Sequence, residues 1–114
     1  MVKKKYVPNQ GDIVWLELGP TRGHEQSGRR PALVLSPKKY NGLVGLMLIC
    51  PITSKSKGYA FEVPLGISKI IGVVLSDQVR SLDWKTRRVA FIERIDESAF
   101  ARVISNIKTL LNQS

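Results

Sequence analysis

The sequence predicts a small, mostly β domain whose sheet is covered by a C-terminal amphipathic helix. Six short segments rich in Val, Ile, Leu and aromatic residues are each bounded by glycine, proline or polar residues, which is typical of strands. These segments span 12–18, 31–36, 45–50, 60–65, 72–79 and 87–93. So many short strands within a chain of 114 residues favour a curled sheet or a small barrel.

The C-terminal segment has a different period. Its apolar residues recur at steps of three and four, which indicates an amphipathic helix. They are Phe100, Val103, Ile104, Ile107, Leu110 and Leu111. Asp96 is the predicted N-cap, and Ile95 and Phe100 occupy the two positions of a hydrophobic staple. We expect the apolar stripe to pack on the sheet.

The length and composition fit one domain over residues 1–114. No apolar run reaches the roughly 18 residues that a membrane helix needs, and the basic N-terminus has no apolar segment of a secretory signal behind it. Cys50 is the only cysteine, so an internal disulfide is excluded. These observations predict a protein of the reducing cytoplasm.

The charge is positive and unevenly distributed. The net charge is +9, and residues 1–58 hold ten Lys and Arg against three Asp and Glu, whereas residues 59–114 hold eight against six. Such asymmetry favours a polyanionic partner, namely nucleic acid, an acidic protein segment or a membrane surface. A charge that serves only solubility is the alternative.

Two polar, basic loops adjoin predicted core strands: 19–30, "GPTRGHEQSGRR", and 52–59, "ITSKSKGY". Loops on a rigid scaffold are where binding and catalysis concentrate. His24 is the only histidine, and no group of ligands has metal-binding spacing, so neither a metal nor another cofactor is predicted. Glycine motifs that bind phosphate are also missing from the sequence. If the protein is an enzyme, the remaining hypothesis is a metal-independent reaction on an anionic substrate.

Cleavage of RNA by its own 2′-hydroxyl needs a base, donors for the phosphorane oxygens and an acid for the leaving 5′-oxygen. Arg30 suits the second task, because its guanidinium presents parallel donors and Pro31 holds it extended before a strand. Glu25 is the candidate base, and Thr53 and Ser54 can donate to a phosphate. Each of these four residues could instead be an ordinary surface, ion-pair or turn residue without a catalytic role.

Four segments carry a family resemblance: "GDIVWLEL", "EQSGRRPALVLSP", "PITSKSKGY" and "GVVLSDQVRSLDW". In combination they resemble the MazF/PemK family of toxin–antitoxin endoribonucleases. The resemblance runs in order over about residues 6–111. It implies a small SH3-like barrel (MazF/CcdB-like) with the C-terminal helix. It also implies a homodimeric, metal-independent, sequence-specific endoribonuclease, an mRNA interferase. Such an enzyme cuts single-stranded RNA to a 2′,3′-cyclic phosphate and a 5′-hydroxyl, inhibits translation and growth, and binds a cognate acidic antitoxin.

The resemblance also maps roles onto residues. The family's catalytic arginine, threonine and glutamate fall on Arg30, Thr53 and Glu25. Arg29 takes the place of a histidine found in some relatives, and we count it with Ser54 among the RNA-binding residues. The other positions expected to contact RNA are Lys57, Asp77, Gln78 and Arg80.

Two alternatives to an endoribonuclease stay open at this point. One is a non-catalytic barrel that binds nucleic acid or protein, such as a gyrase-poisoning toxin, and the presence of Arg30, Thr53 and Glu25 together argues against it. The other, a protein of acidic lipid surfaces, lacks a basic amphipathic helix. Trp15 is expected in the core or at a dimer contact, whereas Tyr59 lies near a loop where stacking on a base is conceivable.

Overall fold

The computed structural model describes residues 5–20, 23 and 25–112, and in these ranges it contains seven strands and two helices. The strands are β1 (Asp12–Glu17), β2 (Arg29–Val34), β3 (Leu46–Thr53), β4 (Glu62–Pro64), β5 (Val73–Leu75), β6 (Arg80–Asp83) and β7 (Ala90–Arg94). The helices are α1 (Lys38–Val44) and α2 (Glu97–Leu111). No helix in these ranges is long and apolar enough to cross a membrane.

All the strand pairs are antiparallel, and the strand order is β4-β5-β3-β2-β1-β7. Strand β6 lies outside this order and also pairs with β3. The long strand β3 organises the sheet. Its first half pairs with β6 and its last two residues, Ile52 and Thr53, pair with β5. Besides pairing with β2, β3 therefore pairs with β6 along its first half and with β5 at its C-terminal end.

The sheet is buried on both faces, because apolar residues occupy consecutive strand positions and successive side chains point to opposite sides. One face holds Ile13, Leu33 and Cys50 and is covered by α2 through Ala99 and Val103. The second face is a cluster of strand residues, partly covered by Trp84 and Val89; its buried members are Val14, Leu16, Leu18, Ala32, Val34, Met47, Ile49 and Leu82. The predicted mostly β arrangement with a covering helix is therefore present.

The helix α2 begins as predicted. The Asp96 carboxylate accepts a hydrogen bond from Ala99 N at 3.2 Å, which satisfies one of the helix's free N–H groups. Ile95 and Phe100 both pack against the cluster that α2 covers, as a hydrophobic staple requires.

Two elements were missed by the sequence analysis. Helix α1 has no acidic residue in its first turn and contains Gly42, so its intrinsic helix propensity is low. It is held by the buried Asn41, which donates to the carbonyls of Pro8 and Ser36. Strand β6 was missed because only one of its four residues, Leu82, is buried, so no apolar pattern marks it.

The bounds of all six predicted strands also differ from the structure; strands β1, β4 and β7 are shifted or shortened by one to three residues at an end, and three others differ more informatively. The predicted strand 72–79 is wrong beyond Leu75, since Gln78 N donates to Leu75 O and closes a turn. Strand β2 begins at Arg29, so both arginines belong to it, and β3 continues through Thr53. Strand pairing determines these bounds, and polar strand ends leave little pattern in a single sequence.

A buried carboxylate joins the N-terminal segment to β7. Asp12, 4% exposed, accepts from Tyr6 Oη at 2.5 Å, Asn9 N at 3.0 Å and Arg94 at 2.9 Å. Asp12→Asn removes the charge and an acceptor, and we expect it to lower the free energy of unfolding by about 2 to 3 kcal/mol in urea denaturation. Asp83→Asn, at the exposed C-terminal end of β6, is the control and should change stability by less than about 0.5 kcal/mol. Equal effects of the two variants would contradict the proposed contribution of Asp12.

Candidate active site

Two depressions lie on either side of the C-terminal end of β3. The first, called the cavity here, has a volume of about 320 Å³ and is lined by Gln26, Thr53, Lys55, Lys57, Tyr59, Glu62, Leu75, Asp77 and Gln78. The second, called the cleft, has a volume of about 250 Å³ and is lined by Trp15, Arg29, Arg30, Pro31, Ile52, Ser54, Ile70 and Ile71. Thr53 borders the cavity and its neighbour Ser54 borders the cleft.

Arg30 and Thr53 both lie just beyond the β2–β3 ladder. The paired residues of this ladder run from Val34 opposite Ile49 to Ala32 opposite Pro51, so Arg30 and Thr53 are each two residues past the last pair. Because the strands are antiparallel, both residues lie at the same end of the sheet. There Arg30 lines the cleft and Thr53 lines the cavity.

The Arg30 side chain is oriented by its own neighbourhood. Its Nε donates to Ser27 O at 2.8 Å, and its backbone is held in β2 opposite Leu16 of β1. Because Nε is engaged, the terminal nitrogens are the donors that remain for a ligand. Arg30 lies at the rim between the two depressions and keeps a solvent-accessible guanidinium.

Thr53 is almost buried, with 5% of its surface exposed, and it lines the cavity. Its Oγ1 accepts a hydrogen bond from Lys55 N at 3.1 Å. A hydroxyl that accepts one hydrogen bond still has its own hydrogen to donate.

Polar groups from three segments line the rest of the cavity. Tyr59 Oη donates to Asp77 Oδ1 at 3.0 Å, and Gln26 N donates to Gln78 Oε1 at 3.4 Å. Burial, with the Asp77 carboxylate adding to it, raises the pKa of Tyr59 to about 12, so its hydroxyl keeps its proton at neutral pH. The hydrogen bond to Asp77 fixes the hydroxyl end of the Tyr59 side chain at the cavity.

The predicted residues fall into distinct groups. The cavity brings together Thr53, Lys57, Asp77 and Gln78, whereas Arg29 and Ser54 line the cleft with Arg30. Arg29 also donates to Arg88 O at 3.0 Å, an exposed contact away from Thr53.

Two of the predicted site residues, Glu25 and Arg80, line neither depression. Glu25 is exposed and lines neither, although the next residue, Gln26, lines the cavity. Arg80 donates to Leu18 O at 3.4 Å, and its Nη1 is buried without a protein partner among the described residues. His24 lies outside the described residues.

Sequence reasoning missed several lining residues. Glu62 lies in β4 between Phe61 and Val63, and a carboxylate amid apolar strand residues was the available signal. Trp15 was expected in the core or at a dimer contact, but it is 39% exposed and lines the cleft, so the core prediction is wrong. Trp15 is opposite Pro31, which also lines the cleft.

Cys50 is a buried, apolar-packed thiol, as predicted. It is fully buried in the face covered by α2, and burial raises its pKa to about 12. A protonated, inaccessible thiol is a poor nucleophile. Within the described ranges, no three His, Cys, Asp or Glu residues are grouped as metal ligands would be.

Comparison with known proteins shows similarity over nearly the whole chain. The family model for the PemK-like, MazF-like toxin of type II toxin-antitoxin system matches residues 9–111. The endoribonuclease toxin MazF of Escherichia coli strain K12 is 51% identical over 83 residues, which cover 73% of this chain and 75% of the relative. The endoribonuclease PemK of Escherichia coli is 34% identical over 97% of this chain and 87% of its own length.

Solved structures agree with the sequence relatives. A crystal structure of MazF from Deinococcus radiodurans superposes with a TM-score of 0.90 at 50% identity, covering 96% of this chain and 100% of that one. A structure of a MazE-MazF complex from the same organism superposes with a TM-score of 0.85, also at 50% identity and with the same coverage. The predicted fold class, a small mostly β MazF-like domain with a C-terminal helix, is confirmed.

Proposed function

Because the chain belongs to the family of PemK-like, MazF-like toxins of type II toxin–antitoxin systems, we propose that it cuts single-stranded RNA at a specific sequence without a metal ion. Membership confirms the resemblance seen in the sequence and the prediction of an endoribonuclease, the activity named for its relatives. The proposed site is supported by the β2–β3 ladder, because Arg30 and Thr53 both lie two residues beyond its last pair, at the same end of the sheet.

In the proposed reaction the ribose 2′-oxygen attacks the adjacent phosphorus, the bond from phosphorus to the 5′-oxygen breaks, and the leaving 5′-oxygen takes a proton from water. The products are a 2′,3′-cyclic phosphate and a 5′-hydroxyl, and translation and growth stop when messenger RNA is cut. The two terminal nitrogens of Arg30 donate to the phosphorane oxygens, and Thr53 donates its hydroxyl hydrogen to the same group. Arg30 stabilises charge rather than moving a proton, because a guanidinium stays protonated.

Glu25 is proposed as the base that accepts the proton of the 2′-hydroxyl. It is exposed and is carried by the same polar loop as Gln26, which lines the cavity. RNA bound over the rim of the cavity would lie beside this loop.

The RNA path is proposed to run across both depressions. Lys57, Asp77 and Gln78 would contact a base in the cavity, since amide and carboxylate groups match the donor and acceptor edges of bases. Arg29 and Ser54 would hold the backbone in the cleft, and Arg80 would support the polar loop through the Leu18 carbonyl.

We further propose a cytoplasmic homodimer that is inhibited by a cognate acidic antitoxin. A related toxin from Deinococcus radiodurans was solved in complex with MazE. The net charge of +9 attracts an acidic partner by the same electrostatics as RNA. Large side chains left exposed on the monomer, including Trp15, Leu43 and Phe91, are consistent with a self-association surface.

The proposed activity is tested by incubating the purified protein with a defined single-stranded RNA in EDTA and mapping the cut ends. Cleavage at one sequence, with cyclic phosphate and 5′-hydroxyl ends, is expected. RNA affinity should fall about tenfold or more between about 50 and about 200 mM salt, because bound lysines and arginines release counterions. Intact RNA, or 5′-phosphate ends, would contradict the proposal.

A further inference from the structure

The carboxylate of Glu62 gathers the loop between β3 and β4. Its Oε1 accepts from Ser56 Oγ at 2.7 Å and from Gly58 N at 2.9 Å, while its Oε2 accepts from Lys57 N at 2.8 Å. Glu62 is 9% exposed and lines the cavity from β4. Three consecutive loop residues are thus tied to one side chain of the rigid sheet.

This tether sets the shape of an otherwise irregular segment, residues 54–61, called the basic loop here. Gly58 adopts a φ of +79°, a conformation that favours glycine, and lets the chain turn so that two neighbouring N–H groups converge on the carboxylate. With the backbone fixed in this way, Lys55 and Lys57 both line the cavity.

Glu62 is poorly suited to be the catalytic base. Hydrogen bonds from Lys57 N and Ser56 hold the pKa of its carboxyl below the ordinary value, so its affinity for a proton is low. Both of its oxygens already accept loop donors. A carboxylate facing an RNA cavity also opposes phosphate binding, so its presence there calls for a different role.

We propose that Glu62 is a positioning residue that preorganises the basic loop over the cavity and so determines which base is accepted beside the scissile phosphate. The proposal rests on the proposed RNA cleavage at this site. A loop held in its bound form loses less conformational entropy when RNA binds, and it presents Lys57 in one place rather than many.

Glu62→Gln tests the proposal, because an amide has one acceptor oxygen and its NH₂ group would face the Lys57 N–H, donor against donor. We expect the protection of the Lys57 and Gly58 amides from hydrogen exchange to fall by about tenfold or more. We also expect KM for the preferred RNA to rise about tenfold with kcat changed less than about twofold, and cleavage at other sequences to appear. Ser56→Ala, which removes one donor and keeps the charge, should give a smaller change in the same direction.

Asp96→Asn is the matched control. The Asp96 carboxylate likewise accepts from a serine hydroxyl, Ser98 Oγ at 2.5 Å, and from a backbone amide, but it caps α2 and lines neither depression. Asparagine is also a good N-cap, so this variant should fold and leave the basic loop, KM and sequence preference as in the wild type.

Two measurements, hydrogen exchange and RNA cleavage, separate this inference from the proposed function. Hydrogen exchange is measured without RNA, so wild-type protein that cleaves no RNA would overturn the proposed function and leave the tether to be judged by exchange alone. Glu62→Gln protein with wild-type protection at Lys57 and Gly58 would overturn the tether. Lost protection with unchanged KM and sequence preference would overturn the role in RNA selection, as would equal effects of Asp96→Asn.

Discussion

Arg30→Lys is expected to lower kcat/KM for RNA cleavage by about 100- to 1,000-fold, the effect of losing preorganised donors to a transition-state oxyanion. The Nε of Arg30 donates to the Ser27 carbonyl at 2.8 Å, and its terminal nitrogens are the groups that we propose bind the phosphate. Lysine keeps the positive charge but is a single point charge. It cannot donate to the Ser27 carbonyl and to two phosphate oxygens at the same time. Single-turnover cleavage of a short RNA measures the loss.

Arg102→Lys makes the same chemical change on the exposed surface of α2 and should cleave RNA at the wild-type rate. Both variants should retain the wild-type circular dichroism spectrum and Tm, since Arg30 is at the rim of the sheet rather than in a core cluster. Near-normal cleavage by Arg30→Lys would eliminate the bidentate contact.

Thr53→Val is expected to lower the cleavage rate constant by about 10- to 100-fold while KM changes little. Valine has nearly the shape of threonine and also suits a strand, so β3 should persist. It lacks the hydroxyl with which Thr53, a residue of the cavity lining, accepts from Lys55 N at 3.1 Å. The loss should therefore appear in the chemical step rather than in the fold.

Thr109→Val on α2 is the matched control, because it removes a hydroxyl that bonds only to the Ser105 carbonyl within the helix. Its cleavage should equal that of the wild type. If Thr53→Val cleaved at the wild-type rate, or if only its KM rose, Thr53 would be a binding or structural residue and not a donor to the phosphorane.

Much of the fold was readable from the sequence because its signals are local. The period of α2 and its Asp96 cap depend on neighbours within one helical turn. Consecutive apolar residues in β1, β2 and β3 predicted strands, since each face of the sheet is buried. Helix α1 was not predicted, because it is stabilised by long-range contacts of Asn41 rather than by its own helix propensity.

The candidate site was readable only in part. The chemistry of Arg30 and Thr53 and a family resemblance singled them out, but their position at the same end of the sheet depends on the β2–β3 register, which no short segment determines. The same limit explains why Arg29 and Ser54 were grouped with cavity residues although they line the cleft. Glu62 was missed because its role appears only when three loop donors converge on it.

The most direct test of the paired role of Arg30 and Thr53 is a crystal structure of the protein bound to RNA whose 2′-hydroxyl at the cleavage site is replaced by a 2′-methoxy group. We predict that both terminal nitrogens of Arg30 and Oγ1 of Thr53 lie about 2.7 to 3.2 Å from oxygens of the same phosphate. A scissile phosphate bound elsewhere, with either side chain directed away from it, would contradict the proposed mechanism.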